Sequence, residues 1–161
     1  MFLSRYEAKR MEMDNFDLLQ KTVLFKGSKK DELDIVMGLF QERQIKQNTT
    51  IFTEKMPAEA LYIIKSGTVK ITMMAGEGEE MGLLLLGPGE FFGELALVQE
   101  DVRLVNARAE TAIDLLVLTR KDFQALLELE PRMGARMLTV ITKLLAMRVK
   151  AYHEKLKELL L

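Results

Sequence analysis

The spacing of apolar residues changes twice along this chain, and that limits the folds open to it. From about residue 43, apolar side chains recur at alternate positions: Ile45, Ile51, Leu61, Ile63, Val69, Ile71 and Met73. A period of two places successive side chains on opposite faces of a strand. Breaks at Asn48, Pro57, Gly67 and Gly76 keep the strands short. Met81 to Leu86 is a continuous apolar run and predicts a strand buried on both faces. Arg103 to Ala109 and Ala112 to Leu118 predict two more strands. Gly76-Glu77-Gly78-Glu79, a glycine pair flanked by acids that would repel phosphate, reads as a hairpin loop. Short strands punctuated by turns predict a mainly β chain, an antiparallel roll or jelly roll (double-stranded β-helix).

Helical spacing frames this region. Residues 5–20 read as a helix with Phe16, Leu18 and Leu19 on its apolar side. Ser28-Lys29-Lys30-Asp31 predicts a capping box, a hydroxyl three residues before a carboxylate, and Leu33, Val36, Met37 and Phe40 follow at helical spacing. Thr119-Arg120-Lys121-Asp122 repeats the signal ahead of Phe123, Leu126 and Leu127. Pro131 suits the first turn of a last helix running nearly to Leu161. Its apolar positions, Leu138, Ile141, Leu145, Val149, Tyr152, Leu156 and Leu159, approximate a coiled-coil seam. That stripe either packs on the roll or joins a second copy. The helix is longer than a domain of this size can cover, which favours partial self-association. The expected organisation is N-terminal helices over 1–41, a β roll over 42–118 and C-terminal lid and dimerisation helices over 119–161.

Composition removes several function classes. The 23 basic and 24 acidic residues leave a net charge of −1, so there is no overall basic field to attract nucleic acid. With no cysteine and His153 the only histidine, one chain cannot assemble a zinc site of His and Cys ligands, and a Ser-His-Asp triad would need a histidine that sits in a charged tail. An enzyme is therefore not expected, nor a cofactor or metal. The N-terminus lacks the apolar core of a signal peptide, and the longest apolar runs are too short to span a bilayer. A cytoplasmic protein without a membrane partner is the simpler expectation.

The chemistry concentrates in Phe92-Gly93-Glu94-Leu95-Ala96-Leu97, which follows the turn signal Gly87-Pro88-Gly89-Glu90 and precedes Arg103. A turn, a carboxylate and a guanidinium in one short segment suit a small ligand with hydroxyls at one end and a phosphate at the other. Gly93 would let a backbone amide approach an anion, because no side chain intervenes; the alternative is a plain turn. Residues 93–98 predict a short helix.

This segment resembles the phosphate-binding cassette of the cyclic nucleotide-binding domain family, whose pattern runs F-G-E-(L/I)-A-L and, a short stretch later, P-R-A-A-T. The resemblance extends further. Leu24-Phe25-Lys26-Gly27 looks like the family's leading helical segment, and Leu61-Tyr62-Ile63-Ile64-Lys65-Ser66-Gly67-Thr68-Val69-Lys70-Ile71 is similar to its L-Y-I-I-x-x-G-x-V-x-V hairpin. Leu86 to Glu94 matches L-G-x-G-x-x-F-G-E. The order helix, roll, short helix, long helix is also the family's.

The resemblance implies a cyclic nucleotide ligand, cAMP before cGMP, held by Phe92, Gly93, Glu94, Leu95, Ala96, Arg103, Leu104 and Arg148. Glu94 would accept the ribose 2′-hydroxyl; the alternative is a solvated or Arg-paired carboxylate. Arg103 would pair with the cyclic phosphate as a fork; the alternative is a surface Arg after the acidic loop Gln99-Glu100-Asp101. Where the family has Pro before this Arg and two small residues after it, this chain has Val102, Leu104 and Val105, which implies a narrowed pocket, although the Leu104 amide remains a donor. By count from Pro131, Arg148 and Val149 fall where the family's long helix supplies contacts to the base; the alternative is an Arg reaching out to water. The implied protein is a non-catalytic sensor and homodimer whose long helix moves and signals to an unidentified effector protein. The chain ends before the helix-turn-helix of bacterial relatives, so direct DNA binding is not expected. The rival expectation is a degenerate roll kept as a ligand-free dimerisation or protein-interaction module.

Overall fold

A computed structural model describes residues 15–160. The first helix is seen over residues 15–21 (α1), and the rest of the helix expected over 5–20 lies outside the described residues. A 3₁₀ turn (Val23–Phe25) and α2 (Lys30–Met37) follow, then strands β1 (Gln41–Ile45), β2 (Thr50–Phe52), β3 (Ala60–Ser66), β4 (Val69–Ala75), β5 (Glu79–Leu86) and β6 (Phe91–Phe92). A single-turn helix α3 (Leu95–Val98) precedes β7 (Asn106–Ala109) and β8 (Ile113–Thr119), and the chain finishes on α4 (Arg120–Leu129) and α5 (Pro131–Leu160).

The strands form two four-stranded sheets, ordered β1-β8-β3-β6 and β2-β7-β4-β5. The paired strands are antiparallel. This is the β roll with a long C-terminal helix that the apolar spacing predicts. The core has two compartments divided by the first sheet. Leu61, Ile63, Leu116 and Leu118 point out to meet Leu24, Phe25, Leu33, Val36, Phe123, Leu126, Met133, Met137 and Ile141 of the helical layer. The alternate residues Ala60, Tyr62, Ile64, Leu115 and Val117 point into the roll against Phe52, Val69, Ile71, Phe92, Ala107 and Ala109. Gly134 permits the close crossing of α4 and α5, since a Cβ there would lie 2.4 Å from Leu127 Cδ2.

Three local expectations are corrected. The strands buried on both faces are β3 and β8, whereas β5 is an edge strand with Leu85 65% exposed. The physical reason is position: β5 pairs with β4 alone, at the edge of the second sheet, and every one of its residues before Leu86 is exposed. An apolar run states hydrophobicity but not which layer covers it. The cap of α2 is shifted by one residue: the Lys29 amide donates to Glu32 Oε2 at 2.8 Å, while the Ser28 hydroxyl turns to Met133 Sδ. Regular pairing in β7 begins at Asn106 rather than Arg103, because the Arg103 amide donates to the Met56 carbonyl of the preceding loop.

At Thr119 the N-cap half of the expected box forms, with Thr119 Oγ1 accepting from the Asp122 amide at 3.1 Å, while the Asp122 carboxylate accepts the Thr119 hydroxyl at 2.6 Å in place of the Thr119 amide. Pro131 begins α5. Met133, Met137 and Ile141 of that helix are buried, yet Val149, Tyr152, Leu156 and Leu159 of its apolar stripe are exposed, Leu159 by 82%. The helix outruns the body that covers its first half. Among the described residues no helix is long and apolar enough to cross a membrane.

Phe123→Ala is expected to cost about 3–5 kcal/mol, because it empties a fully buried site in the helical compartment. Glu154→Ala, an exposed position of α5 outside its apolar stripe, should stay within about 0.5 kcal/mol. Urea unfolding of both variants checks the pair.

Candidate functional site

The site is built where β6 ends. Phe92 pairs with Tyr62 of β3, and the preceding turn is tied to the same strand by the Gly89 amide donating to the Ile64 carbonyl at 2.9 Å and the Ile64 amide donating to the Glu90 carbonyl at 3.0 Å. The chain then reverses at Gly93, whose φ is +77°. A Cβ there would lie 2.7 Å from Arg103 Nη1 and 2.9 Å from the Ala60 carbonyl oxygen. Glycine is therefore required twice, by the left-handed backbone and by the closeness of the guanidinium. After it the chain makes the short turn α3, with the Ala96 amide donating to the Gly93 carbonyl at 3.2 Å and the Leu97 amide to the Glu94 carbonyl at 3.1 Å.

Arg103 is 7% exposed, so the reading of a surface Arg is excluded. Its Nη2 donates to the Ala60 carbonyl at 2.9 Å and its Nη1 to the Gly93 carbonyl at 3.4 Å. The guanidinium lies 4.1 Å from the centre of the Phe52 ring and 5.6 Å from that of Tyr62, a cation over aromatic faces. Phe52, Tyr62 and Phe92 themselves cluster with ring centres 5.0 to 6.0 Å apart. Burial lowers the Arg103 pKa from its ordinary value, opposed by Tyr62, Glu59 and Glu94. A guanidinium remains a cation in such a setting. Its Nε is buried and has no hydrogen-bond partner among the described residues.

Glu94 is buried at 3% exposure, and Arg148 of α5 forms an ion pair with its Oε1 through Nη1. Glu94 is therefore Arg-paired rather than solvated, and Arg148 turns inward to the carboxylate. The structure thus brings Phe92, Gly93, Glu94, Arg103 and Arg148 together. Ala96 is buried beneath them, and Leu95 is exposed. Leu104 points away at 64% exposure, whereas Val105 packs on the cluster inside the roll. Val149 is exposed.

Sequence reasoning overlooked Arg120 except as part of a capping box. Its Nε donates to the Ala96 carbonyl at 2.7 Å and its Nη2 to the Ala58 carbonyl, clamping α3 to the lead-in of β3 from the start of α4. Phe52 was overlooked as well. A lone Phe in a short strand carries no signal that a guanidinium will lie on it.

A family model described as the cyclic nucleotide-binding domain matches residues 42–130. The chain is 35% identical over 120 residues to the cyclic AMP receptor protein of Thermus thermophilus, covering 74% of this chain and 56% of that one. It is 30% identical over 114 residues to a cGMP-dependent protein kinase, isozyme 2, of Drosophila melanogaster, covering 69% of this chain and 12% of the kinase. The crystal structure of the Thermus thermophilus catabolite activator protein superposes with a TM-score of 0.77 at 36% identity, over 86% of this chain and 63% of that one. The chain thus spans little more than half the length of the first relative and a small part of the second.

Gly93→Ala is expected to destabilise the fold by about 2 kcal/mol or more, from the positive φ and the displaced guanidinium together. Thermal unfolding measures it, and Gly76→Ala, where a Cβ meets nothing within 4 Å, is the control.

Proposed function

This chain belongs to the cyclic nucleotide-binding domain family, and we propose that it is a non-catalytic, cytoplasmic sensor that takes a cyclic nucleotide, cAMP ahead of cGMP, between the Gly93–Arg103 cassette and α5. One observation carries the reading: a buried carboxylate, Glu94, and a buried guanidinium, Arg103, flank one glycine turn, and α5 reaches across to them. Burying charge is costly unless partners are arranged for it. Arg103 has a donor to spare in Nε, and the phosphodiester anion is its partner in this reading. Glu94 accepts the ribose hydroxyl. Residues 42–118 form the ligand-binding roll, and 119–161 act as lid and dimerisation element behind the helices of 1–41.

Ligand shifts the position of α5 by its differential affinity for two arrangements of that helix. The exposed stripe of Val149, Tyr152, Leu156 and Leu159 supports a homodimer through α5. A partner protein reads the shift. The second reading, a ligand-free scaffold, draws on Val105 entering the roll cluster and on Arg103 already donating to two carbonyls.

Titration separates the two. Cyclic AMP at about 100 times its Kd should stabilise the protein by about 2.7 kcal/mol, seen as a rise of several degrees in melting temperature. Arg103→Ala should abolish that rise. No shift at millimolar cAMP or cGMP favours the scaffold. Sedimentation should give a dimer that Tyr152→Lys with Leu156→Lys converts to monomer.

A further inference from the structure

We propose that the groove between the 3₁₀ turn and the start of α5 is a docking site for an acidic amphipathic helix of a partner protein. The groove shares no residue with the cassette, so this goes beyond the cyclic nucleotide reading.

Charge is already segregated in the sequence. Residues 18–30 and 131–150 carry nine basic residues and no acidic one, in a chain whose net charge is −1. The two stretches are remote in sequence and meet in the fold, where the 3₁₀ turn lies against α5. A depression of about 450 Å³ opens between them. Val23, Leu24, Ala135 and Val140 form the apolar part of its wall, and Lys26, Arg132 and Arg136 the charged part. Val23 is 53% exposed, so the apolar part is open to water.

The cations are available to a ligand. Lys26 and Arg132 have no ion-pair partner among the described residues. Arg136 directs Nη1 to Glu32 Oε2 at 3.4 Å and to Ser28 Oγ at 3.5 Å, and a guanidinium has further N–H donors. With Glu32 counted, the wall still keeps a surplus of positive charge. Thr139 also lines the groove, but its hydroxyl donates to the Ala135 carbonyl at 2.8 Å. Polar recognition is left to the cations, and they select an anion.

Shape and composition narrow the class. Arg132, Ala135, Arg136, Thr139 and Val140 recur at the spacing of one helical face. Met133 and Met137, on the other side of the same turns, are buried in the body and fix which way that face looks. At 1.5 Å per residue it runs for about 12 Å. A nucleic acid backbone would use the cations and leave the aliphatic wall uncovered. A bilayer surface is flat and would not fill a depression. A helix with leucine side chains along one stripe and carboxylates beside it meets both parts of the wall. Its charge would also steer the encounter and fix its register.

Nuclear magnetic resonance titration of the ¹⁵N-labelled full chain tests this. The probe is a synthetic helix of about 14 residues, four turns, with Leu along one stripe and Glu elsewhere. Controls are a scrambled peptide of the same composition and one with Lys in place of Glu. Amide shifts should be confined to residues 23–26 and 132–140, with a Kd on the order of 10–500 μM. Lys26→Glu with Arg132→Glu should weaken binding at least about tenfold, and Ala135→Trp, which fills the groove without touching its charge, by a similar factor. Both variants change exposed side chains; Lys26→Gln with Arg132→Gln carries the comparison should the charge reversal fail to fold. No shift at millimolar peptide overturns the proposal, as does equal binding of the scrambled or Lys peptide. Groove shifts produced by phosphatidylglycerol vesicles or a DNA duplex but not by the Glu peptide would make the patch a membrane or nucleic acid contact and overturn it too. Groove shifts that follow protein concentration alone would make a second copy the occupant, with the same result. Titration with cAMP and cGMP is scored separately: a chain that takes the peptide but neither nucleotide overturns the sensor reading and leaves the docking site standing.

Discussion

Strand β3 leaves no face to water. Leu61 and Ile63 are packed against the helices, and Ala60, Tyr62 and Ile64 are packed inside the roll. Because side chains alternate strictly, a slip of one residue would exchange the two sets and put each in the wrong compartment. Its neighbour β8 is constrained in the same way, with Leu118 opposite Leu61 and Leu116 opposite Ile63. This two-sided packing decides where the helices lie and where the second sheet closes. It also holds the Ala60 carbonyl and the Tyr62 ring where Arg103 meets them. The site is in this sense a by-product of the register of one strand.

On that frame the protein places charges where hydrophobic packing alone would not. Arg103 sits among aromatic rings and backbone carbonyls, and Glu94 is buried beside it. Each group is desolvated, and each needs partners from another part of the chain. Ala60 and Gly93 supply carbonyls to the cation, while α5 supplies Arg148 to the carboxylate. Arg120 fixes the cassette turn from a third direction through the carbonyls of Ala96 and Ala58. Strand, turn and two helices thus converge on one short segment, and α5 is joined to the cassette by the Arg148–Glu94 ion pair.

Local signals in the chain were readable where the physics is local. Alternating apolar residues, the Gly-rich turn before Phe91, the Thr119 box and Pro131 each report a choice made within a few residues, and each element formed. Signals that depend on a distant layer misled. Met81 to Leu86 looks more deeply buried than Leu61 to Ile64, yet the first run is exposed and the second enclosed. Ser28 looks like a helix cap, but the nearness of Met133 gives its hydroxyl a different partner. The glycine, carboxylate and guanidinium of the cassette were legible as a set, because their spacing is compact. Phe52 and Arg120 were not, since nothing in their own neighbourhoods records what they touch.

The amino-acid sequence by itself determined the succession of helix, roll and helices and the grouping of Gly93, Glu94 and Arg103 in one segment, because periodicity, capping and turn formation act over a handful of residues. Only the tertiary structure decided that Arg103 lies inside, that Leu104 turns away while Val105 packs inward, and that Arg148 faces Glu94. Those outcomes depend on which surfaces meet after the sheets close and α5 lies across them. Burial and ion pairing are properties of that meeting, and no residue carries them alone.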